Sequence, residues 1–155
     1  TKKYYSVNKI SKDFFNKIIS IYSKNKRLLE LGCGKGENIE RYDKYGASVT
    51  GIDISSEGIK KASKLINDKK INAECFVMNE EKTEFNDNSF NIVVGSGIIH
   101  HININKAYIE ISRILNKNGH AVFFEPLGHN PVINLYRKLT PKMRTIDEHP
   151  LLLSY

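Results

Sequence analysis

The sequence predicts an α/β fold built on a doubly wound, mostly parallel sheet. Three observations predict it. Helical and strand-like segments alternate along the chain, the strand-like segments are continuously apolar, and a glycine-rich run follows directly on the first of them. Continuously apolar strands separated by helices are what a sheet buried on both faces requires. Right-handed crossovers then wind such a sheet in both directions.

The elements follow in order. Ile10, Phe14, Phe15, Ile18, Ile19 and Tyr22 form a helical stripe over residues 10–22. Arg27 to Leu31 is a short apolar run ending in glycines, hence a buried strand. Glu37 to Tyr45 reads as a helix stopped by Gly46, and Ala47 to Ile52 as a second strand. Ser55 or Ser56 can cap a helix reaching about Asn67. Ala73 to Met78 is a third strand and Asn91 to Gly95 a fourth. A helix from about Asn105 to Leu115 is closed by the turn signal Asn116-Lys117-Asn118-Gly119. His120 to Glu125 is a fifth strand, and Pro131 behind Asn130 opens a further helix.

The 155 residues suit one domain, residues 1–155, and 40% hydrophobic residues suffice for a single core. The sequence contains no apolar run long enough to span a membrane. Cys33 and Cys75 show neither a disulfide framework nor metal-ligand spacing, so free thiols, no metal site and a cytoplasmic location are expected. The net charge of +7 is spread over scattered lysines. It reads as a solvated surface, and nucleic acid is disfavoured as a partner.

Ligands of such sheets bind beyond the carboxyl ends of the strands, near the point where strand order reverses. The first such place is Gly32-Cys33-Gly34-Lys35-Gly36. Glycine lets the backbone turn sharply and approach a ligand. The spacing is G-x-G-x-G, not the G-x-G-x-x-G of dinucleotide binders. A tight turn without a ligand would use the same residues, so the loop alone does not decide. Asp53 ends the second strand, where a carboxylate can accept both hydroxyls of a ribose. It could instead cap the next helix, although Ser55 and Ser56 are available for that. Met78-Asn79-Glu80-Glu81 follows the third strand, and Gly95-Ser96-Gly97-Ile98-Ile99-His100-His101 the fourth.

In order and spacing these motifs resemble the class I S-adenosylmethionine (SAM)-dependent methyltransferases, especially the small-molecule subgroup. The resemblance covers about residues 26–127. It includes Phe90-Asn91-Ile92-Val93-Val94 before Ile99-His100-His101, and the helix and turn from Glu110 to His120. It implies a Rossmann-like fold, SAM as cofactor and S-adenosylhomocysteine as product. It also implies a cofactor-binding set of Glu30, Gly32, Gly34, Gly36, Asp53, Ile54, Asn79, Glu80 and Gly95. Glu30 would orient the methionine amino group, and small residues after the fourth strand would leave room for the methionine portion. Asn79 stands where the family commonly has Asp, Glu80 where it has a small residue, and Asn91 where it has Asp. Asn79 keeps an acceptor oxygen for an adenine amino group but no charge.

The implied reaction is an in-line displacement onto an O, N or C nucleophile of a small molecule. The protein would chiefly align the partners and exclude water. His100, His101, Glu125 and His129 are the candidates for handling a proton. One of the adjacent histidines could instead be a packed residue shaping the pocket. Arg137 and Arg144 could clamp a phosphate or carboxylate or lie on a solvated helix face, and Tyr4 and Tyr5 could fold over the cofactor. Members of this family normally add two strands after the fifth. The sequence ends at Tyr155, so a domain truncated before its C-terminal strands is expected, with a sheet edge through which a homodimer could form.

Three rival functions share parts of this pattern. Loop spacing argues against a nicotinamide dehydrogenase. An RNA methyltransferase fits the charge but lacks both the Asn/Asp-Pro-Pro-aromatic signature after strand four and a Cys placed to attack a pyrimidine. A non-catalytic SAM-binding module fits the Asp-to-Asn changes.

Overall fold

The computed structural model describes residues 2–125, with side chains from residue 9 onward. Helix α1 (Lys2–Ser23) leads into β1 (Arg27–Leu31). Then come α2 (Ile39–Lys44), β2 (Ser48–Asp53), α3 (Ser56–Lys69), β3 (Ala73–Val77), β4 (Phe90–Ser96), α4 (Ile104–Ile114) and β5 (Leu115–Phe124). A single 3₁₀ turn, Ile99–His101, sits between β4 and α4. The strands form one parallel sheet in the order β3-β2-β1-β4-β5. After β3 the chain returns to the other side of β1, so order reverses between β1 and β4. The doubly wound fold expected from the sequence is present.

The apolar runs are explained by the two layers that cover them. On one face Leu28, Val49, Ile92 and Val94 pack with Phe15 and Ile19 of α1, Ile39 and Tyr42 of α2, and Ile59 and Ile66 of α3. On the other, Leu29, Leu31, Ile52 and Val93 pack with Ala107, Ile111 and Ile114 of α4. Adjacent residues of β1 thus enter different cores, as strand geometry requires.

The helix expected over residues 10–22 is present within α1. The helical stripe of α1 is only half used. Phe15 and Ile19 are buried, but Ile10 is 80% exposed and Phe14 64% exposed. Only one edge of that wide apolar stripe meets the sheet among the described residues. Tyr22 is also largely exposed, but its ring stacks on His120 of β5, with centroids 4.3 Å apart. One expectation is corrected: Asn116–Gly119 does not separate α4 from β5. Leu115 already pairs with Phe90, and His120 pairs with Ile92, so the four residues bulge opposite Asn91 alone. Asn91 keeps a structural task without a charge: its Oδ1 accepts the Arg27 N–H at 3.0 Å, which fixes β4 to the start of β1.

The long segment between β3 and β4 is held by a polar cluster on α4. The Glu110 carboxylate accepts the Thr83 N–H at 2.8 Å and the Arg113 Nε–H at 3.0 Å. Arg113 also reaches Asp87 at 2.7 Å. The Arg113 guanidinium, more than the Thr83 donors, holds the Glu110 carboxyl at about 2.

The two halves of the α1 stripe should respond differently to truncation. Ile19→Ala is expected to cost about 2–5 kcal/mol of unfolding free energy, and Ile10→Ala about 0.5 kcal/mol or less. Urea unfolding followed by circular dichroism measures both, and equal costs would show that the stripe is buried along its whole width.

Candidate cofactor and active site

Parallel strands bring all their carboxyl ends to the same side of the sheet, and the candidate residues gather there. Gly32 and Gly34 need left-handed backbone, with φ of 65° and 52°. They serve different ends. A Cβ on Gly32 would stand 2.7 Å from Cδ1 of Ile98, so this glycine admits a neighbouring side chain. A Cβ on Gly34 would meet nothing closer than Asp53 Oδ2 at 4.0 Å, so here the open space lies above the loop backbone. Gly36 lies against Ala62 of α3. The Cys33 N–H donates to the Ile52 carbonyl at 2.9 Å and ties the loop to β2.

Asp53 joins this loop to the end of β2. Its Oδ2 accepts the Gly34 N–H at 2.8 Å, and its Oδ1 accepts the Ser55 N–H at 2.8 Å. The helix cap itself is Ser55, whose hydroxyl accepts the Gly58 N–H. Each Asp53 oxygen has a further lone pair for hydroxyl donors. Ile54, next to it, is exposed.

Glu30 is the least ordinary group. It lies in β1 with 2% exposure. Oε1 accepts a hydrogen bond from Asn38 Nδ2 at 2.8 Å, while Oε2 is buried with no partner among the described residues. Burial is the main cause that pushes its carboxyl up to about 8, against the opposing pull of the Asn38 hydrogen bond. A buried carboxylate with one oxygen unsatisfied fits a cation placed beside it. The α-ammonium of SAM meets that requirement, and the open side of Gly34 gives backbone-lined space nearby, so the residues present fit the cofactor. Asn38 was not foreseen from sequence. Arg41 Nη1 donates to Asn38 Oδ1 at 3.0 Å, which orients the amide with its NH₂ toward Glu30. A polar residue two positions past Gly36 carries no sequence signal for that task.

After β3, Glu80 is buried, and burial raises its carboxyl. The Gly32 backbone beside it opposes the rise, and the charge of Asp53 adds to it. Glu80 therefore sits against the glycine loop. Asn79 is exposed, and its Oδ1 accepts the Glu81 N–H at 2.7 Å. The oxygen expected to face an adenine amino group is thus already part of a turn, with one lone pair left.

At Gly95 a Cβ would lie 2.6 Å from Ile98 Cγ2 and 2.8 Å from the Phe123 ring, so packing leaves no room for a side chain there. Gly97, with φ of 72° and no atom nearer its Cβ position than His100 Cε1 at 3.8 Å, is the more open position.

Three catalytic candidates come together after β4 and β5. Glu125 Oε1 accepts the N–H groups of Ile98 and Ile99 at 2.9 and 3.0 Å. Its Oε2 meets Nδ1 of His100 at 2.8 Å, with both side chains buried. Beside an ionised Glu125, Nδ1 would donate to the carboxylate, and a neutral His100 ring would then keep its lone pair on Nε2. The His101 ring lies 4.1 Å from that of His100. His129, Arg137, Arg144 and the helix expected at Pro131 lie outside the described residues, as do the side chains of Tyr4 and Tyr5.

Residues 29–123 match the family described as methyltransferase domain. The chain belongs to that family. The match covers most of the sheet and the loops after β1 to β4. As a class I SAM-dependent methyltransferase domain, it has SAM as its cofactor. The ubiquinone biosynthesis O-methyltransferase of Pelagibacter ubique is 33% identical over 116 residues, covering 74% of this chain and 48% of the relative. That of Nitrosomonas europaea is 29% identical over 142 residues, covering 87% and 57%. A SAM-dependent methyltransferase structure from Methanosarcina mazei superposes with a TM-score of 0.69 at 30% identity, covering 78% of this chain and 62% of that one. The chain spans about half the length of the curated relatives it matches.

The raised Glu30 carboxyl sets a pH dependence. Folded Glu30 holds its proton to about 8, whereas an unfolded glutamate releases it near 4.3. The folded state therefore binds the extra proton between these values, and stability falls as pH rises through that window. Melting temperatures of ligand-free protein should decline from pH 5 to 8, and Glu30→Gln should flatten that decline. An unchanged slope in the variant would show that Glu30 is ionised throughout.

Proposed function

We propose that this domain transfers the methyl group of SAM to a hydroxyl oxygen of a small molecule by in-line displacement. The observation that carries this reading is the buried His100–Glu125 pair. A neutral amine or a carbanion already has a free electron pair, but a hydroxyl must lose a proton as it attacks. A histidine held through Nδ1 by a carboxylate presents Nε2 as a base and is stabilised when protonated. The names of the O-methyltransferase relatives support oxygen as the attacked atom.

SAM supplies a methyl group already activated as a sulfonium. Glu30 would hold its ammonium group, Asp53 would accept the ribose hydroxyls, and the Gly34 region would leave backbone space for the methionine chain. Glu125 fixes the His100 ring and, through the Ile98 and Ile99 amides, the loop that bears it. Glu30, Glu80 and Asp53 give the site an acidic character suited to a cationic cofactor. The two thiols fit a reducing, cytoplasmic setting.

Calorimetry with SAM and S-adenosylhomocysteine, followed by transfer of a labelled methyl group to phenolic and amine acceptors, tests the reading. Binding of both and methylation of phenols are expected; methylation of amines alone would sink the oxygen assignment. Glu125→Gln should lower kcat by about 10²–10⁴-fold with little change in SAM affinity. Stopped turnover together with lost SAM binding would instead mark Glu125 as structural.

A further inference from the structure

The two cysteines lie far apart in sequence, yet their sulfurs converge on one point. Gly51 of β2 pairs with Cys75 of β3. A Cβ on Gly51 would stand 2.8 Å from Sγ of Cys33 and 3.0 Å from Sγ of Cys75. The glycine thus leaves a gap that both sulfurs border. Cys33 is part of the glycine loop and buried, while Cys75 lies in β3, the terminal strand, and is half-buried.

We propose that Cys33 and Cys75 form a reversible disulfide that ties the glycine loop to β3 and weakens SAM binding. The binding effect rests on the reading that this loop holds SAM; the disulfide itself does not. The oxidant is a hydroperoxide, for which hydrogen peroxide is the simplest probe. Cys75 is the attacking sulfur, because it is the more exposed and because the neighbouring Cys33 thiol lowers its own while Cys75 raises that of Cys33. Its thiolate attacks one peroxide oxygen, the O–O bond breaks, and the leaving hydroxide takes up a proton to become water. Cys75 is then a sulfenic acid. The Cys33 sulfur attacks the Cys75 sulfur, the S–O bond breaks, and the Cys33 proton leaves with that oxygen as a second water. Two thiols are oxidised by two electrons, and one peroxide is reduced to two waters.

A disulfide holds its sulfurs about 2.05 Å apart, closer than two thiols in contact. Cys75 is fixed by the β2–β3 ladder. The movement therefore falls on the loop, where Gly34 donates to Asp53. A shift of Cys33 disturbs that hydrogen bond and the space beside it.

The test uses the chain in reduced and peroxide-treated forms. Intact mass and peptide mapping should show loss of two hydrogens and a Cys33–Cys75 cross-link within one chain. Calorimetry should show SAM affinity weakened by at least about tenfold and restored by dithiothreitol. Cys75→Ser and Cys75→Ala should each keep the reduced protein's SAM affinity and make it insensitive to peroxide. Peroxide treatment that yields only sulfinic acid or cross-linked dimers overturns the proposal. So does a correct cross-link with unchanged SAM affinity. Reduced protein that binds no SAM would sink the cofactor reading and the proposed effect together, and the mass of the cross-link would still report on the thiols.

Discussion

Ile98 occupies the space that two glycines leave. Its side chain lies over Gly32 at the end of β1 and over Gly95 within β4. Its amide is held by Glu125 at the end of β5. Three strand ends are thereby locked around one isoleucine, on both sides of the point where strand order reverses. Interiors packed at this density do not tolerate an added methyl without movement. The glycine loop and the His100–Glu125 pair are consequently parts of one packed unit. The geometry that opens space for a cofactor also sets where the proton-handling group stands.

The electrostatics of this unit run against those of the whole chain. The net charge is +7, yet Glu30, Asp53 and Glu80 gather beside the glycine loop, and the two buried carboxyls are both raised. Burial without a cation makes their charged forms costly. A ligand with a positive ammonium and a positive sulfonium relieves that cost in proportion to how closely it approaches. Charge summed over the surface said little about function because the scattered lysines are solvated, while the acidic groups are few and shielded from water.

The fold was legible because its signals are local and repeated. Each strand is a short apolar run, each helix has its own cap or stop, and the G-x-G-x-G spacing marks the end of β1. Asp53 could be read from its place at a strand end. Features that depend on tertiary contact could not. Nothing near Ile98 in sequence says that it fills the room over Gly95. Nothing near Asn38 says that it faces Glu30. The Asn116–Gly119 turn was read correctly as a break in regularity, but pairing partners alone reveal that the strand begins before it. The α1 stripe was legible as a helical face, but periodicity does not say what covers that face.

The Asn116–Gly119 bulge has a practical consequence. It lies at the end of the sheet away from the glycine loop, and the pairs Phe90–Leu115 and Ile92–His120 pin the register on either side of it. Gly119 must stay, because a Cβ there would strike Leu115. Lys117 and Asn118 are exposed, so added length there need not shift the ladder. The remainder of β5 separates this point from the catalytic pair by roughly 15 Å, at the usual rise of a strand. A fluorophore, an affinity tag or a fused domain spliced at this position would therefore leave the cofactor loop undisturbed, making the bulge a natural port for engineering the domain.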